Sequence, residues 1–305
     1  MEWYDKKTYI EVYPPKEFSF DECIAFLSRS SQEVLHQIKD GSIYKLLKIE
    51  DSLVLCRIRY EENAIKVDFP DRHPEKEGCS LVAKFIWEWF DLEADLKEFY
   101  QLASNDGILK GIAKSYSGLR IMCIPDLFEA LVWAVLGQQI NLTFAYTLKK
   151  RFVERFGESL MFAGETYWVF PTYEKIASLQ VDDLRELQFT VRKAEYIIGI
   201  AEEMVSGNLS KEKLLQKRDF NEVKKSLVSI RGIGDWTANY VMMKCLHDTS
   251  SLPIADVGLH NALKNILGLE RKPSIEEIKE YAADWSGWEA YATFYLWRSL
   301  YDEAI

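Results

Sequence analysis

The sequence predicts an α+β protein, a small antiparallel α/β domain over residues 1–90 followed by an all-helical region over residues 91–305. Three observations carry that expectation. A length of 305 residues allows about two domains at ~150 residues each. Hydrophobic residues make up 48 % and aromatics 13 %, enough for a sizeable core and too much for a disordered chain. Short β-branched or alternating runs fill the first part, whereas apolar positions at helical spacing fill the second.

In the first part, Tyr9 to Tyr13, Ile43 to Ile49, Leu53 to Tyr60 and Ala64 to Phe69 read as strands between polar turns. Ser19 to Arg29 reads as a short helix with Ser19 as its N-cap, and Leu81 to Phe90 packs over the sheet. From Asp91 onward the pattern is helical. Phe128, Leu131, Val132, Val135 and Leu136 share one buried face, as do Ala194, Ile197, Ile198 and Ala201. Further helices are expected at Asn221 to Ser229, Trp236 to Leu246, Leu259 to Leu267, Ser274 to Ala283 and Glu289 to Asp302.

Composition excludes several function classes. Lys plus Arg number 38 against 48 Asp plus Glu, a formal charge of −10. Such a chain does not coat nucleic acid or membrane by bulk electrostatics, although a local basic face remains open to it. No run approaches about 20 consecutive apolar residues, so no membrane association is expected. Met1 to Pro15 lacks a signal-peptide pattern, which leaves a cytoplasmic location. Five scattered cysteines read as reduced thiols, and the four histidines show no metal-like pairing. Neither metal nor cofactor is expected.

The most informative segment runs from Leu227 to Tyr240, Leu-Val-Ser-Ile-Arg-Gly-Ile-Gly-Asp-Trp-Thr-Ala-Asn-Tyr. One helix ends near Ser229, Gly232 and Gly234 make a tight turn, and another helix starts at Asp235 or Trp236. Glycines there leave the amides of a helix N-terminus uncovered, a site suited to a phosphate. An ordinary helical hairpin with a glycine turn would look the same. Downstream, Asp256 in Pro253-x-x-Asp256 stands just ahead of an apolar-periodic helix, where an Asp commonly caps.

Taken together, this hairpin and the Pro-x-x-Asp about twenty residues later resemble the helix-hairpin-helix DNA glycosylase superfamily. The resemblance extends through the helical region. Phe128 to Asn141 is similar to the family's helix and Gly-Gln loop, and Leu187 to Ala201 to the segment before its hairpin. Trp236, Tyr240 and the motif Trp288-Glu-Ala-Tyr291-Ala292 match the alkylpurine branch, the DNA-3-methyladenine glycosylase II family. Trp236 stands where bifunctional members carry a nucleophilic Lys, and the C-terminal cysteines of iron–sulfur members are missing. Two departures stand out. Arg231 replaces the usual hairpin Pro, and the DNA-wedging position falls at Gln139, with Ile140 beside it.

The resemblance implies a glycosylase core and a monofunctional enzyme of base excision repair. It would act as a monomer on duplex DNA, releasing 3-methyladenine and 7-methylguanine. Asp256 would be its catalytic carboxylate; Trp236, Tyr240 and Trp288 would wall the base pocket, with Phe26 a candidate to complete it. Gly232, Ile233, Gly234 and Thr237 would hold the DNA backbone, and Gln139 or Ile140 would fill the gap left by the flipped base. Lys149, Lys150, Arg151, Arg192 and Lys193 are further phosphate contacts or solvated helix faces. Two alternatives stay open: a non-enzymatic DNA-binding protein in which Asp256 only caps, and an oxidised-purine glycosylase/lyase.

Overall fold

The computed structural model describes residues 1–217 and 219–301. Six strands form one antiparallel sheet: β1 (Glu2–Asp5), β2 (Tyr9–Tyr13), β3 (Gln37–Lys39), β4 (Ser42–Ile49), β5 (Ser52–Glu61) and β6 (Ala64–Asp68). Their order is β1-β2-β6-β5-β4-β3. Four were expected; the short edge strands β1 and β3 were not, since neither carries a run long enough to show a period.

Register explains the two faces of the sheet. Ile43 pairs with Ile58, Leu47 with Val54, Ile58 with Val67 and Ile10 with Val67, which places this apolar set on one side of the pleat. That side packs on helices Phe20–Leu27 and Lys76–Trp89. Ser19 caps the first of these by accepting the Glu22 amide at 3.3 Å. The opposite side presents Leu46 and Leu55, also directly paired.

What covers that opposite side corrects the all-helical expectation for residues 91–305. Strands β7 (Glu158–Phe162) and β8 (Glu165–Val169) form a hairpin after helix Leu142–Phe156, and Tyr167 and Val169 bury themselves against Leu46 and Leu55. The hairpin turns on Ala163 and Gly164, with φ of +49° and +81°. Two left-handed residues match the twist of a two-residue loop, but Ala in the first place hides the usual Asn-Gly or Asp-Gly signal.

The remainder is helical. Helices Leu127–Gly137, Val191–Val205, Phe220–Val228, Asp235–Cys245 and Val257–Ile266 stand where periodicity places them. Helix Glu289–Arg298 ends before the expected limit, Asp302, which lies outside the described residues. One continuous apolar core runs across residue 90. Phe26 meets Phe294 at 4.5 Å between ring centroids, and Glu22 pairs with Arg298 at 2.9 Å. Among the described residues no helix is long and apolar enough to cross a membrane.

Candidate active site

The hairpin joins helices Phe220–Val228 and Asp235–Cys245. Gly232 has φ +93°, and a Cβ there would lie 2.3 Å from the Tyr196 ring, so the turn is pressed onto helix Val191–Val205. Gly234 is the N-cap of the second helix, and a Cβ there would meet nothing within 4 Å. One glycine closes the turn and the other leaves it open. A shallow depression of about 420 Å³ results, lined by Gln138, Tyr196, Gly232, Ile233, Gly234 and Trp236 among others. First-turn amides have no partner inside their own helix, so this end can receive an anion.

Two residues expected to hold the DNA backbone turn their side chains inward, leaving only their main chain at the depression. Ile233 is 4 % exposed, and its amide donates to the Ile230 carbonyl at 3.1 Å. Thr237 is 2 % exposed, and its hydroxyl accepts from Gln138 Nε2 at 3.0 Å. The same Nε2 donates to the Gly232 carbonyl at 2.9 Å. Gln138 therefore ties the loop after helix Leu127–Gly137 to the hairpin, a role with no pattern to announce it. Beyond it, Gln139 is exposed with φ +57°, whereas Ile140 packs partly against the core. Of the two wedge candidates, Gln139 is the one that projects.

Asp256 both caps and faces the aromatic cluster. It is the N-cap of helix Val257–Ile266, with Oδ1 accepting the Leu259 amide at 2.8 Å. Oδ1 also accepts the Trp297 indole N–H at 2.7 Å, and Oδ2 accepts that of Trp236 at 3.1 Å. A carboxylate has about four acceptor sites, so the three bonds leave Oδ2 capacity for another group. Gly258 makes the arrangement possible, because a Cβ there would stand 2.9 Å from Oδ1 and 3.1 Å from the Trp297 ring.

Trp236 stacks on Tyr240 at 5.5 Å and 29°, and Tyr240 lies 6.1 Å from Trp297. The Tyr240 hydroxyl accepts from Trp133 Nε1 at 2.9 Å, and burial pushes this phenol up. Trp288 is not part of this group. It packs on Phe99 at 6.0 Å and Tyr291 at 5.7 Å, at the other end of helix Glu289–Arg298. Trp297, which sequence reasoning missed, takes the place beside Asp256. Nine residues separate the two tryptophans, roughly half a turn out of phase at ~3.6 residues per turn, so one helix cannot offer both to the same pocket.

The basic candidates divide. Lys193 is buried and donates to the carbonyls of Val135 at 2.9 Å, Leu136 at 2.5 Å and Gln138 at 2.8 Å, and burial lowers its pKa to about 8. Lys149 is buried against Glu33 at 3.0 Å and Glu129 at 3.8 Å. Arg151 holds Gln188 Oε1 at 2.5 Å. Lys150 pairs with Glu154 at 3.9 Å while partly exposed, and Arg192 is exposed. Arg151, Lys150 and Arg192 remain suited to a phosphate, whereas Lys193 and Lys149 are committed inside the protein.

Folding also assembles a Cys–His–Asp cluster that the spacing does not show. His247 Nδ1 lies 2.7 Å from Asp91 Oδ1 and 3.6 Å from Cys123 Sγ, and Tyr291 donates to Asp91 Oδ2 at 2.6 Å. These are metal-ligand types within mutual reach. The guanidinium of Arg120 donates to the Asp91 carbonyl at 3.2 Å, and buried Lys244 is within electrostatic reach of Cys123 and Asp91. The Arg120 cation beside the cluster opposes a further one, and within it His247 Nε2 and Arg120 Nη2 are buried without a hydrogen-bond partner among the described residues.

Residues 132–287 match the HhH-GPD superfamily base excision DNA repair protein model, and residues 14–131 match the 8-oxoguanine DNA glycosylase N-terminal domain model. The chain is 46 % identical over 304 residues to a DNA-3-methyladenine glycosylase of Bacillus subtilis, covering 99 % of this chain and 100 % of that protein. Its fold is shared with a 3-methyladenine DNA glycosylase from Archaeoglobus fulgidus, with TM-score 0.82 and 23 % identity, covering 97 % and 98 % of the two chains. An 8-oxoguanine glycosylase/lyase from Clostridium acetobutylicum shares it too, with TM-score 0.78 and 19 % identity over 100 % and 99 %. The fold thus accommodates both chemistries. By the match over its helical half and the full-length kinship, the chain belongs to the HhH-GPD superfamily of base excision DNA repair proteins and is an N-glycosyl hydrolase of the DNA-3-methyladenine glycosylase type.

Proposed function

We propose that this glycosylase is monofunctional and removes N-alkylated purines, 3-methyladenine and 7-methylguanine, from duplex DNA. The observation that carries the reading is the Asp256 carboxylate, held by the indole N–H groups of Trp297 and Trp236 beside the Trp236–Tyr240 stack. The target base must leave the duplex stack before its glycosidic bond can be reached. An N-alkylated purine is cationic and departs as a neutral base, so no general acid is required. What remains is to stabilise positive charge growing on the sugar and to place a water, and one carboxylate oxygen serves both needs. Trp236, backed by Tyr240, offers a ring face to the electron-poor base, worth ~0.5–2 kcal/mol.

The hairpin depression takes a phosphate, Gln139 enters the space vacated by the base, and the enzyme works as a monomer in the cytoplasm. Trp236 at the nucleophile position supports hydrolysis over imine chemistry. Incubation with alkylated duplex DNA should release both methylated purines and leave an intact abasic site. Borohydride should trap no protein–DNA adduct. A trapped adduct would place the chain among glycosylase/lyases, and no released base would make it a DNA-binding protein with Asp256 only a cap.

A further inference from the structure

Arg29 belongs to none of the motifs above, yet its guanidinium stands at the aromatic cluster. It follows helix Phe20–Leu27, and its guanidinium lies 3.8 Å from the centre of the Phe26 ring and 5.6 Å from that of Tyr146. From Tyr146 the chain of contacts runs to Trp133 at 4.7 Å and through its indole N–H to the Tyr240 hydroxyl. The charge of Arg29 is within electrostatic reach of the Tyr146, Tyr240 and Tyr301 hydroxyls, and Asp256 reaches the last two from its own side. Recessed among these rings, the residue nevertheless keeps partial solvent exposure. Glu33, the acid within its reach, is already paired with Lys149 at 3.0 Å. One guanidinium donor goes to the Phe26 carbonyl at 3.1 Å, and a guanidinium has five.

A cation there does nothing for a cationic base except repel it. We propose that Arg29 is a specificity-determining residue that donates hydrogen bonds to the acceptor edge of a neutral purine and so extends the enzyme to neutral lesions. The inference rests on the glycosylase reading above. For a neutral purine the C1′–N9 bond breaks with its electron pair passing to the base. Water supplies the new bond to C1′, and its proton ends on the released purine. Negative charge therefore grows on the ring nitrogens and O6, where a forked donor of fixed charge stabilises it. An alkylated purine starts positive, leaves neutral and gains nothing from that donor.

The test is single-turnover excision of hypoxanthine and of 7-methylguanine from otherwise identical duplexes by wild type, Arg29→Met and Arg29→Lys. Arg29→Met keeps an unbranched apolar stem and should lower the hypoxanthine rate by about 100-fold, the usual loss for one such donor. The 7-methylguanine rate should hold or rise, so the ratio of the two rates shifts by more than about ten-fold. Arg29→Lys, with charge but no fork, should give an intermediate ratio. Equal losses on both bases, an unchanged ratio, or wild type releasing 7-methylguanine but no hypoxanthine would overturn the proposal. If Arg29→Met does not fold, the Lys variant decides alone, and a wild-type ratio overturns the proposal. Wild type releasing neither base would overturn the glycosylase reading as well.

Discussion

The hairpin and the aromatic pocket draw on the same helix, Asp235–Cys245, in opposite ways. The hairpin uses the backbone at its N-terminus, and its parts, Gly232 to Trp236, are contiguous. The aromatic cluster uses side chains, Trp236 and Tyr240, and joins them to Asp256, Trp297, Trp133 and Tyr146 from four other segments. A contiguous backbone site tolerates changes that preserve the turn. A site assembled from distant segments depends on each helix meeting the others at the right rotation.

Replacing Asp256 by Asn should separate the two regions most sharply. The amide can still accept the Leu259 and Trp297 bonds, so fold and DNA affinity persist, while excision falls by roughly 10³-fold or more. Single-turnover assays alongside binding titrations check this, and near wild-type excision would remove Asp256 from the chemistry. Gly232→Ala should strike the other region. A Cβ 2.3 Å from the Tyr196 ring, at φ +93°, forces the hairpin off helix Val191–Val205. A stability loss of about 1–3 kcal/mol and weaker binding to undamaged and damaged duplex alike are expected from thermal unfolding and titration.

A smaller effect distinguishes the two tryptophans of one helix. Trp297→Ala should slow excision about ten-fold, equivalent to ~1.4 kcal/mol, by removing a ring face and an Asp256 donor. Trp288→Ala should instead lower the melting temperature while each folded molecule keeps its excision rate, because Trp288 packs on Phe99 and Tyr291. The reverse pattern would restore Trp288 to the pocket. The smallest effect concerns Lys193 behind the Gln138 loop. Burial lowers its pKa to about 8 from the usual value of 10.5, so between these limits the unfolded chain holds a proton that the folded one has released. Stability should therefore rise with pH across that window, measured as the melting temperature of wild type relative to Lys193→Met. A flat difference would mean that the three carbonyls keep Lys193 charged when folded.

Local patterns made much of this molecule legible. The strands around Ile43, Ile58 and Val67 alternate, the helix faces repeat, and glycine spacing with a cap-forming Asp marks the hairpin and the start of the next helix. Each of these depends on neighbours within a few residues. The loop after helix Leu127–Gly137 was half legible, since Gln139 was named but Gln138, which secures it, was not.

The sequence by itself determined the sheet's main strands, the helical hairpin, the position of Asp256 at a helix start and the family, because periodicity, turn chemistry and motif order are properties of adjacent residues. Only the tertiary structure decided the rest. Helix rotation chose Trp297 over Trp288, and packing turned Ile233, Thr237, Lys149 and Lys193 inward. The sheet's second apolar face drew in the strand pair Glu158–Phe162 and Glu165–Val169. Packing also set Arg29, more than two hundred residues from Asp256, within electrostatic reach of the same tyrosines. Which side chains share a pocket follows from how helices rotate and pack against one another, and that is set by the whole core rather than by any local run of residues.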